Sequence, residues 1–265
     1  MVRLNTAHRR FAPHMPEPEK VRGLKADHPA VTGSRPLFPV TPVEQSPRVL
    51  VSGHNNCKIG KLVTKGAWAG MPIYTLTLAE RSTCPQSCEH WRTCYGNAMH
   101  RARRLEAGPV LEDVLVVEVM QHANRHPDGF VVRLHVLGDF YSVEYVDLWR
   151  RLLRQYPALH IYGYTAYFPD ADDQREAAIG QALAMTRMQF QDRFRIRFSG
   201  EETRVVTDKD FSEPGVLVCP AEKSEKASCG SCAWCWERDE EIAFILHGMM
   251  GGRRRKPGRP RKEAA

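Results

Sequence analysis

Downstream of residue 72 the chain alternates short β-branched and aromatic runs with longer stretches of helical period, a pattern that predicts repeated strand–helix units. The predicted strands are Ile73–Leu78, Phe130–Leu137, Leu159–Tyr164, Phe194–Phe198, Gly215–Val218 and Ile242–Leu246. Between them, Leu111–Asn124 is strongly apolar. Val143–Tyr156 places Val146, Trp149, Leu152, Leu153 and Tyr156 on one helical face, with Ser142 as its N-cap and Pro157 as its stop. Asp172–Met188 puts Ile179, Ala182, Leu183 and Thr186 on one side. Glu201–Glu213 is too short and polar for a full helix, so the crossover there is expected to be irregular.

The upstream chain is different. Residues 1–48 hold eight of the 18 prolines and few periodic apolar positions, which predicts a loosely packed, non-catalytic arm. Order is expected to begin near Arg48–Val51, followed by a turn-rich loop over Gly53–Gly60. The predicted organisation is an arm over 1–48, a core over 49–248 and a basic tail over 249–265.

Each predicted strand runs into small or reactive groups at its carboxyl end: the first cysteine loop, Gly138-Asp139-Phe140, Thr165, Ser199-Gly200-Glu201, Cys219-Pro220 and His247-Gly248. Parallel strand–helix folds gather their chemistry on that face. Two strands also alternate informatively: Phe194, Ile196 and Phe198 oppose Arg193, Arg195 and Arg197, while Val132, Leu134 and Val136 oppose Arg133 and His135. With helices on the apolar face, the cationic face would line a lumen suited to a carboxylate or phosphate ligand. The competing reading for residues 193–197 is an edge strand with a solvated arginine face.

Seven of the eight cysteines fall in two windows, Cys84/Cys88/Cys94 and Cys219/Cys229/Cys232/Cys235, with Cys57 apart. Such clustering implies shared metal ligands. A disulfide framework suits small secreted chains, whereas 265 residues can bury a substantial core, and the first 25 residues carry no apolar stretch of the signal-peptide kind. No run of 18 apolar residues predicts a membrane span. The expected location is the cytoplasm, where thiols stay reduced. Three cysteines at C-x3-C-x5-C in one loop fit a [4Fe–4S] cluster with one iron left open; His90 or Cys57 could instead close a tetrahedral zinc site or complete the cluster. The later set, C-x9-C-x2-C-x2-C, supplies four thiolates for a second iron–sulfur cluster or a zinc ion, with Trp234 and Trp236 as possible shields.

The formal charge of +7 sits mostly in the tail: residues 253–263 hold seven positive charges and one negative, leaving the rest at +1. By composition the body is not a basic nucleic-acid-binding domain. The Pro- and Gly-broken tail, expected to be disordered, carries an AT-hook-like run whose Arg259, Arg261 and Lys262 are candidates for minor-groove or phosphate contact with DNA.

Thr83–Gly96, Arg133–Ser142, Tyr164-Thr165-Ala166 and the terminal cysteine set resemble the phage and prophage gene product 88 domain family, over roughly residues 50–248. More distantly, a strand, a three-cysteine loop and strand–helix repeats are similar to the radical S-adenosylmethionine (SAM) superfamily. That resemblance implies a six-stranded partial (β/α) barrel in which Cys84, Cys88 and Cys94 hold the cluster and Gly138-Asp139 meets SAM, although the last cysteine gap here is five rather than two. The cofactor-contacting candidates are Gly138, Asp139, Thr165, Ser199, Arg133, His135 and Arg197, and the catalytic candidates are Asp139, Tyr164 and Glu201. The expected function is an iron–sulfur enzyme that needs an external reductant and acts on or near nucleic acid; the alternative is a zinc-stabilised, DNA-associated accessory protein.

Overall fold

The computed structural model describes residues 23–206, 210–223 and 227–245. The basic tail with Arg259, Arg261 and Lys262, the strand end at Leu246 and the His247-Gly248 pair lie outside them.

Ten strands are present among the described residues: β1 (Val40–Thr41), β2 (Val51–Ser52), β3 (Ile73–Thr75), β4 (Arg104–Leu105), β5 (Phe130–Leu134), β6 (Leu159–Thr165), β7 (Phe194–Phe198), β8 (Thr203–Val206), β9 (Val216–Val218) and β10 (Glu241–Ile245). Helices α1 (Pro29–Thr32), α2 (Pro109–Arg125), α3 (Val143–Gln155) and α4 (Gln174–Gln189) precede three single-turn helices, α5 (Pro220–Lys223), α6 (Cys229–Cys232) and α7 (Trp234–Glu237). The class is mixed α/β, as the alternation predicts.

The central sheet has the order β2-β3-β5-β6-β7, parallel except for β2, which pairs antiparallel to β3 at the edge. A second parallel sheet has the order β8-β10-β9, and β1 pairs with β4. The expected six-stranded partial barrel is therefore corrected. All six predicted strands exist, but four lie in the central sheet and two join β8 in the second, and the described residues form no closed barrel. The reason is the connection after β7. A parallel neighbour needs a crossover of about a dozen residues, and Ser199–Glu202 is too short to supply one, so β8 does not join β7 in the central sheet, and the chain passes from one to the other through the isolated Ser199–Thr203 bridge.

Helices α2, α3 and α4 cover one face of the central sheet. Phe130, Val132, Leu134, Leu159, Ile161, Phe194, Ile196 and Phe198 pack there against Leu115, Trp149, Leu152, Ile179 and Leu183. Helix α3 begins where expected, because the Ser142 hydroxyl accepts the Tyr145 amide at 3.1 Å. The opposite face carries Val131 and Tyr162, roofed by Ile59, Val63, Trp68 and the cysteine-bearing segment with Cys219, Cys235 and Trp236. Trp68 stacks on Trp236 with ring centroids 5.1 Å apart.

That roof also decides the arginine face of β7. The strand is the sheet edge, yet Arg197 is only 3% exposed and donates to the carbonyls of Cys235 (3.1 Å), Glu240 (3.0 Å) and Arg238. Arg195 pairs with Asp239 at 3.0 Å. Neither a lumen nor a solvated face is the right description: the cations tie down the segment that leaves the second cysteine group at Cys235.

The described part of the arm, from residue 23, packs on the first cysteine loop. Leu24, Ala30, Leu37 and Phe38 form a small core of their own. The Leu24 amide donates to the Arg92 carbonyl at 2.9 Å, Arg92 Nε returns to the Leu24 carbonyl at 2.7 Å, and Trp91 Nε1 donates to the Val31 carbonyl at 3.3 Å. Among the described residues, no helix is long and apolar enough to cross a membrane.

Candidate metal centre

All eight cysteines are free thiols. The first loop leaves the carboxyl end of β3 and folds around two buried guanidinium groups. Arg81 donates to the Trp91 carbonyl (2.9 Å) and to Asn97 Oδ1 (2.5 Å). Arg104 pairs with Glu80 at 2.6 Å, both side chains at most 1% exposed, and donates to the carbonyls of Gly96 (2.9 Å), Met99 (3.0 Å) and Ala102 (3.0 Å). A charge pair this deep persists only because the remaining donors are satisfied. Here they are satisfied by the loop's own carbonyls, so the pair fixes the loop's path.

Cys84, Cys88 and Cys94 lie within electrostatic reach of one another. Burial pushes all three thiols up, Cys88 to about 12 and Cys94 to about 11, and neighbouring negative groups, Asp139 for Cys84 and Glu80 for Cys94, add to it. Opposing that shift, the backbone at Arg81, His90 and Gly96 favours the anionic form of Cys84, Cys88 and Cys94 respectively. Arg81 and Arg104 further favour an anionic Cys94.

The Gly138-Asp139 step holds this loop against β6. Gly138 has φ +78°, and a Cβ there would lie 2.6 Å from Thr83 Oγ1 and 2.7 Å from Leu78 Cβ, so glycine is required. The Asp139 amide donates to Thr83 Oγ1 at 3.1 Å, while its two carboxylate oxygens accept the amides of Phe140 and Ala166, each at 2.8 Å. Burial raises the Asp139 carboxyl to about 7 against the lowering effect of those bonds. Thr165 is buried and Tyr167 donates to the Thr83 carbonyl at 3.0 Å, closing the same knot.

The second group roofs the other end of that face. Burial raises Cys219, Cys232 and Cys235, and Cys229 to about 11. The Tyr164 hydroxyl lies 2.7 Å from Cys235 Sγ. The Tyr162 hydroxyl, on the same face and within reach of Cys229, is buried without a partner of good hydrogen-bond geometry, as is Trp236 Nε1. The backbone at Ala221 and Trp234 again opposes the shift, at Cys219 and Cys232 respectively. Cys57 is exposed, and the chain after it belongs to this group: the Lys58 and Ile59 carbonyls accept the amides of Cys229 (2.7 Å) and Gly230 (3.0 Å).

Arg133 lies between the two groups. Its guanidinium stacks over Tyr164 (4.7 Å) and Tyr162 (5.4 Å), and its charge is felt by Cys229 and Cys235 on one side and by Tyr95 and Asp139 on the other. Tyr95, whose hydroxyl donates to the Val136 carbonyl, interacts in turn with Cys84 and Cys94. Its position directly after Cys94 was the available signal, and pattern reading passes over it.

The remaining predicted residues do not converge. His135, expected beside Arg133, instead packs against Phe140 and Tyr145 on the helix side, its Nε2 3.1 Å from the Tyr145 hydroxyl, because β5 ends at Leu134 and the alternation ends with it. Ser199 joins β7 to β8, and Glu201 is exposed on the turn that follows.

The donors fit a thiophilic metal by their chemistry: seven soft ligands in two groups, with the Tyr164 hydroxyl at the sulfur of Cys235. They are not closed around a centre, since among the described residues no three His, Cys, Asp or Glu side chains stand in a metal-holding arrangement. A family profile described as gene product 88 matches residues 49–242. The chain belongs to the gene product 88 family. No curated protein and no solved structure matches it. The match spans both cysteine groups, so they lie within the gene product 88 domain, whereas the basic tail falls outside it.

Proposed function

We propose that this gene product 88 protein is an iron–sulfur protein with two thiolate sites on one face of its central sheet. Cys84, Cys88 and Cys94 would hold one group and Cys219, Cys229, Cys232 and Cys235 the other. The observation that carries the reading is the polar surrounding of the sulfurs: the Tyr164 hydroxyl lies 2.7 Å from Cys235 Sγ, and the backbone beside Cys88, Cys94, Cys219 and Cys232 favours their anionic form. A neutral buried thiol gains little from such surroundings, whereas a metal-bound thiolate gains much. When bound, a cluster with one iron not held by cysteine supplies one-electron chemistry at an open coordination position, as in the radical-SAM enzymes. The chain's own part is to fold the first loop around Arg81 and Arg104, to exclude water with the arm, and to hold Arg133 and Tyr95 between the sites.

The second group supports zinc as a further reading, because it provides four thiols, a complete tetrahedral set. Anaerobic purification with iron, sulfide and zinc analysis separates the readings, with EPR of the reduced protein recorded with and without SAM. About eight irons per chain fit two clusters, and about four irons with one zinc fit the mixed protein. An EPR signal that SAM perturbs would support radical-SAM chemistry. Zinc alone, with no iron after reconstitution, would overturn the iron–sulfur proposal.

A further inference from the structure

We propose that the groove between β2 and the segment after the first cysteine loop binds the phosphate backbone of single-stranded nucleic acid. The groove measures about 780 Å³, and its lining includes Arg48, His100, Arg101 and Arg103 together with Asn55 and Asn56. Among the described residues its lining carries no carboxylate. An adjoining cavity of about 340 Å³ shares Pro47 and Arg48 with it and adds His122 and Arg125. The carboxylate lining that cavity, Glu118, is already committed, since its oxygens accept the amides of Val49 (3.0 Å) and Leu50 (2.7 Å).

Several surface arginines are neutralised: Arg150, Arg187, Arg195, Arg204 and Arg238 each pair with a carboxylate, whereas others, such as Arg151 and Arg154 on α3, form no ion pair among the described residues. Among the described residues Arg48, Arg101 and Arg103 form no ion pair, and Arg103 reaches only the Ser46 hydroxyl, at 2.8 Å. A row of exposed, uncompensated guanidinium groups with amide side chains beside it matches phosphate oxygens in charge and in fork geometry. Tyr74, partly exposed on the groove wall, offers a ring for a base. The body's near-zero net charge hides this site, because composition averages one groove without carboxylates over the whole surface.

The groove also has a direction. Its lining reaches Val136, whose carbonyl accepts the Tyr95 hydroxyl beside Cys94. A strand lying in it would pass next to the first cysteine loop. The inference deepens the iron–sulfur proposal by naming its substrate class, and rests on that proposal only for what happens to the strand once bound.

The test is fluorescence anisotropy with a labelled twelve-nucleotide oligothymidylate on the full chain, titrated at several salt concentrations. Arg101→Gln with Arg103→Gln is expected to weaken binding at least tenfold and to lower the salt slope by about 1.4, or 0.7 per lost phosphate contact. Arg48→Gln with Arg101→Gln, which leaves the Arg103–Ser46 contact intact, should do the same if the first variant folds poorly. Arg259→Gln, Arg261→Gln and Lys262→Gln in the tail should leave most of the affinity. Binding unchanged in the groove variants but lost in the tail variant would overturn the proposal. So would equal affinity for a polyglutamate of the same charge, which would make the groove a site for acidic protein. Metal content is read separately, so failure here is distinct from failure of the metal sites.

Discussion

The Tyr164 hydroxyl lies 2.7 Å from the sulfur of Cys235. The two residues come from β6, next to the edge strand of the central sheet, and from the roof over it, 71 positions apart, and their contact fastens the second cysteine group to the face that also carries Arg133. Tyr164→Phe keeps the ring and its edge contact with Phe244 but removes the hydroxyl. Stability should fall by only about 1 kcal/mol, while metal at the second site should bind about 10–100-fold more weakly. Metal release to a colorimetric chelator measures the second effect, and equal release rates in both proteins would count against a ligand role for Cys235.

Arg104→Met tests whether the buried pair organises the first loop. It leaves Glu80 charged and uncompensated at 1% exposure, a situation that costs about 3–5 kcal/mol. Denaturant unfolding should report that loss. Replacing both partners, Arg104→Met with Glu80→Met, should recover part of the stability but not the loop's carbonyl contacts.

Gly138→Ala places a Cβ against Thr83 and Leu78 in a left-handed backbone conformation. A destabilisation of about 1–3 kcal/mol is expected. Because the clash falls on the residue before Cys84, metal content at the first site should drop while the second stays filled.

Two buried histidines predict an acid-side loss of stability. Burial lowers His122 to about 4 and His135 to about 3, from an ordinary value near 6.5. A folded-state value below the unfolded one means that the unfolded chain takes up more protons between those limits, so stability is full above about pH 6.5 and falls as pH drops toward 4 and 3. Between pH 7 and pH 5 the pair should cost about 2–4 kcal/mol, allowing for partial solvation of His122. Thermal unfolding at the two pH values checks the sign, and His122→Phe should flatten the dependence.

Strand and helix positions were legible in the sequence because the apolar faces are strongly periodic: α3 lies within a residue of the pattern, and Ser142 caps it as expected. The topology was not. Strand β8 hides in a polar stretch whose Thr203-Arg204-Val205-Val206 run is too short to register, and once it pairs with β10 the last strands leave the central sheet. The grouping of the cysteines along the chain is plain from spacing, although among the described residues no three potential ligands close around a centre, and alternation was enough to place Arg133 on the face opposite Val132 and Leu134. His135 was misplaced because alternation cannot tell where a strand ends. Arg81, Arg104 and Tyr95 were missed because their roles come from carbonyls and sulfurs gathered by the fold rather than from any periodic pattern. The cationic groove was hidden for a related reason: its arginines are drawn from separate segments, 48 and 101–103.

The most direct test of the central claim is metal stoichiometry in three anaerobically prepared proteins: the unaltered chain, Cys84→Ala and Cys232→Ala. Two independent thiolate sites predict that each substitution removes one site's metal and leaves the other's, with the iron–sulfur absorbance reduced rather than abolished by Cys84→Ala. Loss of all metal in either variant, or metal content unchanged in both, would contradict two separate sites built from these cysteines.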